Sequence, residues 1–416
     1  MLPGQWGWWR QLCGQARRLF ELYGYGEVRT PILEHSPLFV KGTGSTTDIV
    51  EKQMYTLRNE GSDEASITLR PEGTPPTIRT YLENQFHKKI TFQKFYYIGP
   101  MFRKERPQKG RLRQFHQAGV EAVGGSSPLL DVETVLLARD IYRAAGLEDF
   151  EIKLNSIGCE ACRTEFRREV HGMLEQHRDE LCEDCQNRMD RNVFRVLDCK
   201  KEQCQEIVEG LPPITDYLCD DCSAHHDQVK SALADESVDF VADPGLVRGL
   251  DYYTRTVYEV THPGLGARDT ICGGGRYDGL VELLGGPSLP CVGFAMGLEA
   301  SLLAMEAELG EPSATDINPT VYVVSFEATA RPESFKLIQR LRAAGIEAEM
   351  DFEERSASAQ LRMADNMNAR LCFLMGEQEL QSGEVLIKNM KSGDQWNVPR
   401  GDAVKEVQHF LEETDE

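Results

Sequence analysis

The chain has 416 residues, 41% hydrophobic and 27% charged, and its 46 Lys+Arg against 67 Asp+Glu leave a net charge of −21. That length supports two or three domains with cores of their own, and the charge argues against general affinity for polyanions. No run approaches the roughly 20 apolar residues of a membrane span, and the N-terminus lacks a signal peptide's apolar core. A cytoplasmic protein is expected, with its twelve cysteines as thiols or metal ligands, not disulfides.

Residues 10–23 predict an amphipathic helix with Leu12, Ala16, Leu19, Phe20 and Tyr23 on one side, stopped by Gly24 and Gly26. Trp6, Trp8 and Trp9 read as a flap packed over the core. YGEVRTPILE is a strand interrupted at Pro31, which points to an edge or an interface. Gly42-Thr43-Gly44-Ser45 is a loose glycine loop without the Gly-Lys-Ser/Thr ending of a phosphate loop, and no such motif occurs elsewhere. Any ATP would be held by side chains.

Residues 66–79 predict a strand, then a helix, with Glu72, Gly73 and Thr74 at the junction. A carboxylate and a hydroxyl around a glycine suit an ammonium group; a plain turn capped by Thr74 explains the same residues. Residues 96–121 predict strand, basic loop, strand. Between Arg103 and Arg113 six of eleven residues are basic, and only Glu105 is acidic. A positive island on a negative chain implies a local anionic ligand. On the second strand, Arg111, Arg113, Phe115, Gln117, Gly119 and Glu121 should share one face. Such a face could hold a small zwitterion, with its anion at the arginines and its ammonium at the glutamate. A solvated hairpin with incidental charges is the plainer reading.

A helix over 130–145 should end at Gly146. Then eight of the twelve cysteines fall within 64 residues: Cys159/Cys162, Cys182/Cys185, Cys199/Cys204 and Cys219/Cys222. Four close-spaced thiol pairs match two tetrahedral, structural zinc sites; spacing leaves open which pair joins which. Residues 238–260 predict a strand pair carrying Arg248-Gly249-Leu250-Asp251-Tyr252-Tyr253, whose tyrosines could wall an aromatic ligand. ICGGGRYDGL places three glycines before Arg276 and Tyr277, and VGFAMGLE runs from strand into helix. Residues 310–319 have a linker's composition. Alternating β and α segments beyond it predict a compact α/β domain.

Together these stretches resemble the histidyl-tRNA synthetases, a class II aminoacyl-tRNA synthetase family, over nearly the whole length. YGEVRTPILE is similar to class motif 1, YYIGPMFRKERPQKGRLRQFHQ to motif 2 and VGFAMGLE to motif 3. LVRGLDYYTRTVYE and ICGGGRYDGL resemble the two histidine-specific stretches.

The resemblance implies an α+β fold. It comprises an antiparallel-sheet catalytic domain over residues 1–317, a helical cysteine-rich insertion at about 159–235, and an α/β anticodon-binding domain over 318–416. It implies a homodimer with Pro31 at the interface. It also implies ATP with magnesium, histidine and histidine tRNA as substrates, through a histidyl-adenylate. By similarity, Glu72, Gly73 and Thr74 hold the amino acid, and Gln117 and Glu121 take its ammonium group. Tyr252, Tyr253 and Tyr277 form the imidazole pocket. Arg103 and Arg248 neutralise charge on the α-phosphate, with Arg111 at the substrate end. Arg106 and Gln108 lie in the loop that meets the tRNA acceptor end.

Where motif 3 normally continues with an arginine for the γ-phosphate, this chain has Ala300. Lost catalytic arginines mark a synthetase-like paralogue, the regulatory subunit of ATP phosphoribosyltransferase. That paralogue resembles the catalytic body without the anticodon domain and usually lacks the RGLDYY stretch. Both are present here, which favours the enzyme.

Overall fold

The computed structural model describes residues 6–45, 47–57, 66–90, 92–106, 110–197, 199, 201–310 and 318–414. Two compact units divide the chain: Trp8–Pro312, and Ser313–Glu416 with Met1–Gly7.

The larger unit opens on helix α1 (Trp6–Leu22), which buries Leu12, Ala16, Leu19 and Phe20. Trp8 and Trp9 lie within this helix, half-buried against the same core, so they extend it at its start and form no separate flap. Strands β1 (Gly26–Glu27) and β2 (Leu33–His35) flank Pro31, which has no amide to give a ladder. Helix α2 (Ser36–Gly42), a π-helical turn (Ile49–Gln53), β3 (Tyr55–Leu57) and β4 (Ile67–Leu69) follow. Helices α3 (Thr74–Glu83) and α4 (Phe86–Lys89) lead into the hairpin of β5 (Gln93–Phe102) and β6 (Gln114–Val123). The hairpin pairs without a break from Gln93↔Val123 to Phe102↔Gln114.

Helix α5 (Pro128–Ala144) is capped by the Ser127 hydroxyl, which accepts from the Leu129 amide, and Gly146 (φ +95°) turns the chain after it. After β7 (Glu151–Ser156) the insertion is helical: α6 (Glu160–Gln176), α7 (Glu183–Met189), α8 (Phe194–Leu197), α9 (Glu202–Glu209) and α10 (Asp220–Asp235). Strands β8 (Val241–Ala242), β9 (Thr254–Thr261) and β10 (Thr270–Arg276), helix α11 (Leu280–Leu283), β11 (Cys291–Gly297) and α12 (Leu298–Leu309) complete the unit.

Its central sheet runs β1-β5-β6-β11-β10-β9-β7-β8. The outermost pairs, β1·β5 and β7·β8, are parallel and all pairs between them antiparallel. One core, including Phe20, Tyr96, Tyr142 and Tyr258, joins the sheet to α1, α5, α10 and α12. A second core joins Tyr252, Tyr253 and Tyr277 to α3, α11 and the insertion. The arginine–tyrosine stretch departs from the predicted strand pair. Residues 243–253 form a loop, and the strand resumes only at Thr254. The loop is held by non-ladder bonds instead: the Asp251 amide donates to the Thr43 carbonyl at 3.2 Å and the Tyr252 hydroxyl to Glu72 at 2.9 Å.

The smaller unit holds β12 (Val321–Ser325), α13 (Arg331–Ala343), β13 (Ala348–Met350), α14 (Ala357–Asn366), β14 (Leu371–Met375), α15 (Glu377–Ser382), β15 (Glu384–Asn389), β16 (Gln395–Pro399) and α16 (Ala403–Thr414). Its sheet, β13-β12-β14-β15-β16, is parallel over its first three strands and antiparallel after them. Helix α15 and strand β16 are additions to the predicted elements. Most of the linker at 310–319 lies outside the described residues. Among the described residues no helix is long and apolar enough to cross a membrane.

Candidate active site

Strands β5, β6, β11, β10 and β9 floor a cavity of about 830 Å³ in the larger unit. The alternation of β6 presents Phe115, Gln117, Gly119 and Glu121 to one side, as predicted. Arg113 breaks the predicted row: β6 begins only at Gln114, and Arg113 is exposed outside the cavity. Arg111 reaches the cavity and pairs with Glu105 at 2.9 Å.

The acidic end is built from two buried carboxylates. Glu121 Oε1 accepts from the hydroxyls of Thr74 (2.6 Å) and Tyr97 (3.2 Å), and Oε2 accepts from Tyr277. Burial pushes the Glu121 carboxyl up to about 8, against the pull of the Thr74 and Tyr277 hydroxyls. Glu72 accepts from Thr43 Oγ1 at 2.5 Å and Tyr252 at 2.9 Å, and burial raises its pKa as well. The helix cap at this junction is Gly73; Thr74 spends its hydroxyl on Glu121 instead. Two carboxylates ringed by hydroxyls suit a cation that brings its own charge, such as an ammonium group.

Tyr252, Tyr253 and Tyr277 form an aromatic wall. Tyr252 lies 4.8 Å from Tyr253 and 5.5 Å from Tyr277 between ring centroids, and Tyr253 lies edge-on to Tyr277 at 6.4 Å. Among the described residues the buried Gln117 Oε1 has no hydrogen-bond partner, and Gln117 lines the same cavity. Tyr97, across the hairpin from Gly119, fills the gap that Gly119 leaves. A Cβ on Gly119 would lie 2.6 Å from the Tyr97 hydroxyl, and one on Gly73 2.3 Å from its ring.

At the cationic end Arg103 donates from Nε to the Pro71 carbonyl at 2.9 Å and lies over the Phe115 ring at 5.1 Å. Burial lowers its pKa, opposed by Glu72 and Glu105. Arg248 pairs with Glu259, which also accepts from Thr270 at 2.9 Å. Its guanidinium lies across Gly273, where a Cβ would stand 2.2 Å from Nη2. Among the described residues Arg248 Nε has no partner. Ala300 lines the cavity from the first turn of α12, with Leu303, Glu306 and Ala307. Lys153 on β7 also lines it. Arg106 is exposed, and Gln108 lies outside the described residues.

Arg276, next to the pocket in sequence, turns the other way. It is buried with Asp131, which also meets His225 at 3.1 Å, and so ties β10, α5 and α10.

The cysteines assemble in two quartets. The outer pairs, Cys159/Cys162 and Cys219/Cys222, meet, and so do the inner pairs, Cys182/Cys185 and Cys199/Cys204. In each quartet the sulfurs lie within 4.8 Å of one another, with Cys159 to Cys162 at 3.6 Å and Cys182 to Cys199 at 4.0 Å. Zinc–sulfur bonds of about 2.3 Å in a tetrahedron place sulfurs about 3.8 Å apart. The thiols fit that metal.

Four contributions escaped the sequence reading: Tyr97, Thr43, Lys153 and the insertion's Arg195, which lines the cavity. Tyr97 is placed by the hairpin register, which sets it opposite Gly119. Thr43 and Arg195 come from segments remote in sequence, and no local pattern marks them.

A sequence model described as "Histidyl-tRNA synthetase" matches residues 1–301, and one described as "Anticodon binding domain" matches residues 320–410. The chain is similar to "Histidine--tRNA ligase" of Halothermothrix orenii, 44% identical over 97% of this chain and 96% of that one. It is 46% identical to the protein of the same name from Moorella thermoacetica, over 96% and 94%. Among solved structures, apo histidyl-tRNA synthetase of S. aureus superposes with a TM-score of 0.79 at 35% identity, covering 96% of this chain and 95% of that one. The chain belongs to the histidyl-tRNA synthetase family.

Proposed function

We propose that this chain is a histidine–tRNA ligase: it activates histidine with ATP to histidyl-adenylate and passes the histidyl group to the 3′ end of histidine tRNA. One observation carries the reading. A single cavity is lined by the Glu72 carboxylate, Thr74, Gln117, a three-tyrosine wall and the guanidinium groups of Arg103 and Arg248, with the Glu121 carboxylate held just behind that lining by Thr74 and Tyr277. Glu121 and Gln117 take the amino acid's ammonium group. Glu72, just before α3, and Thr74, its first residue, fix it from one side, and Tyr253 and Tyr277 enclose the imidazole. Arg103 and Arg248 neutralise the charge that grows on the α-phosphate as the carboxylate attacks and pyrophosphate leaves.

Magnesium accompanies ATP, and Glu259, Asp269 and Glu306 line the cavity with the hard oxygen donors it favours. The two cysteine quartets hold structural zinc. Residues 1–317 form the catalytic domain and residues 318–416 the anticodon-binding domain, with Arg106 and Gln108 meeting the acceptor end of the tRNA. A homodimer through motif 1 fits the exposure of Ile32 and Leu33 beside Pro31, next to the edge strand β1. The free thiols fit the cytoplasm.

Histidine-dependent ATP–pyrophosphate exchange and charging of histidine tRNA by the purified protein test this reading. Charging is the expected result. Histidine binding without exchange or charging would overturn it in favour of a regulatory paralogue.

A further inference from the structure

Residues 186–197 lie between two thiol pairs of the inner quartet, with Cys185 before them and Cys199 after them. The helices around it are short: α7 is seven residues long and α8 four, well below the ~12–15 residues at which a helix becomes even marginally stable alone. The quartet closes this segment at its base. Cys182 caps α7, and its amide donates to Cys204 Sγ at 3.3 Å. The Cys199 amide donates to the Val196 carbonyl at 3.1 Å.

From the far side of the same segment, four polar side chains reach two pieces of the active site. Arg188 and Arg195 meet Asp48, at the head of the π-helical turn that borders the cavity, and Arg191 meets Glu51 within it. Asn192 donates to Asp251 Oδ1 at 2.9 Å, and Arg195 donates to the Gly249 carbonyl at 3.2 Å. Asp251 is thereby held where its amide donates to the Thr43 carbonyl at 3.2 Å. Thr43 in turn donates to Glu72, and Tyr252, the residue after Asp251, donates to the other oxygen of Glu72. An unbroken line of contacts joins the quartet to a carboxylate of the pocket.

We propose that the inner quartet, loaded with zinc, positions the histidine pocket: by clamping residues 186–197 it makes Asn192 and Arg195 positioning residues for the Gly249–Tyr252 loop. This rests on the zinc and ligase readings above. The outer quartet has a different reach. It joins the start of α6 to the start of α10, and Arg163, beside Cys162, donates to the Tyr253 carbonyl at 2.9 Å. Apolar packing also holds the inner segment, since Val193 and Val196 are buried. Packing alone therefore predicts a segment that stays in place without metal, and the two accounts separate on that point.

The test uses the full-length protein and reads zinc content, the Kd for histidine by calorimetry, and the KM for histidine and for ATP in pyrophosphate exchange. The unmodified protein should carry two zinc ions per chain. Cys204→Ser should lose one of them and weaken histidine binding roughly tenfold or more, with the KM for ATP much less affected. Asn192→Ala should keep both ions and raise the histidine Kd by about tenfold, the range expected for a hydrogen bond to a charged group. Should Cys204→Ser not fold, Asn192→Ala and zinc withdrawal from the native protein by a thiol-specific mercurial carry the same comparison. Loss of one zinc with an unchanged histidine Kd would overturn the proposal, as would an Asn192→Ala protein that binds histidine normally. A fully active protein without zinc would remove the metal and the proposal together. Failure of the unmodified protein to bind histidine would instead refute the ligase reading.

Discussion

The hydroxyl of Tyr277 donates to the Glu121 carboxylate beneath the cavity, and each residue is only 1% exposed. With its pKa raised to about 8, Glu121 is largely protonated at neutral pH while the pocket is empty. A carboxyl whose pKa rises on folding contributes stability that is complete below its unfolded value and disappears as pH climbs through about 8. An arriving ammonium group reverses the preference and expels the proton. Histidine binding should therefore release up to one proton near pH 7, visible as a dependence of calorimetric heat on buffer ionisation. Its affinity should rise between pH 6.5 and 8 beyond what histidine's own titration explains. Glu121→Gln should abolish the excess release and weaken histidine binding at least tenfold, about 1.4 kcal/mol.

Ala300 leaves the first turn of α12 without a charge where it borders the cavity. A guanidinium there would add a charge-assisted bond to the ATP phosphates. Ala300→Arg should increase the rate of histidine-dependent pyrophosphate exchange and lower the KM for ATP, with the KM for histidine unchanged. No gain, in a protein already fully active, would mean that another cation, such as Lys153, serves that end.

Gly273 gives Arg248 the space in which its guanidinium lies. Gly273→Ala should displace the arginine and cost about 10²-fold in the rate of adenylate formation, the scale of losing one electrostatic donor in an active site. Histidine Kd should change much less. Single-turnover adenylation with and without saturating ATP makes the comparison.

Asp131 and Arg276 form an ion pair with no solvent exposure on either side chain. Arg276→Met strands a buried carboxylate and should destabilise the fold by about 3–5 kcal/mol, read from urea unfolding; Asp131→Leu with Arg276→Met should recover much of that. Although burial alone would raise it, the bonds from His225 and Arg276 hold the Asp131 pKa below its usual value. The stability it contributes is present at neutral pH and fades as pH falls below about 4 through that depressed value.

Periodicity and punctuation revealed much of this architecture. The 3.6-residue pattern from Leu12 to Tyr23, the alternation of Gln117, Gly119 and Glu121, and the stops at Gly24 and Gly146 all correspond to observed elements. The loop carrying Tyr252 and Tyr253 reads as strand in the sequence because tyrosine and the β-branched residues that follow it favour strands. What makes it a loop are contacts to segments remote in sequence, to Thr43 and Glu72, which no local pattern marks. Thiol spacing pointed to two quartets without showing that the first pair meets the fourth, since pairing across the insertion depends on how its helices fold back. Glu72 and Glu121 were legible from their motifs, whereas their partners Thr43 and Tyr97 were fixed by register and long-range packing.

The Tyr97 ring lies wedged between Gly73 and Gly119, and its hydroxyl reaches Glu121. The depth of the amino-acid pocket is therefore a dimension of the main chain, one aromatic ring thick, and not a sum of adjustable side chains. Most substitutions around the rim can come and go without changing what size of molecule fits beneath it. A side chain at either glycine would run into that ring, so neither position can gain bulk unless Tyr97 gives way with it.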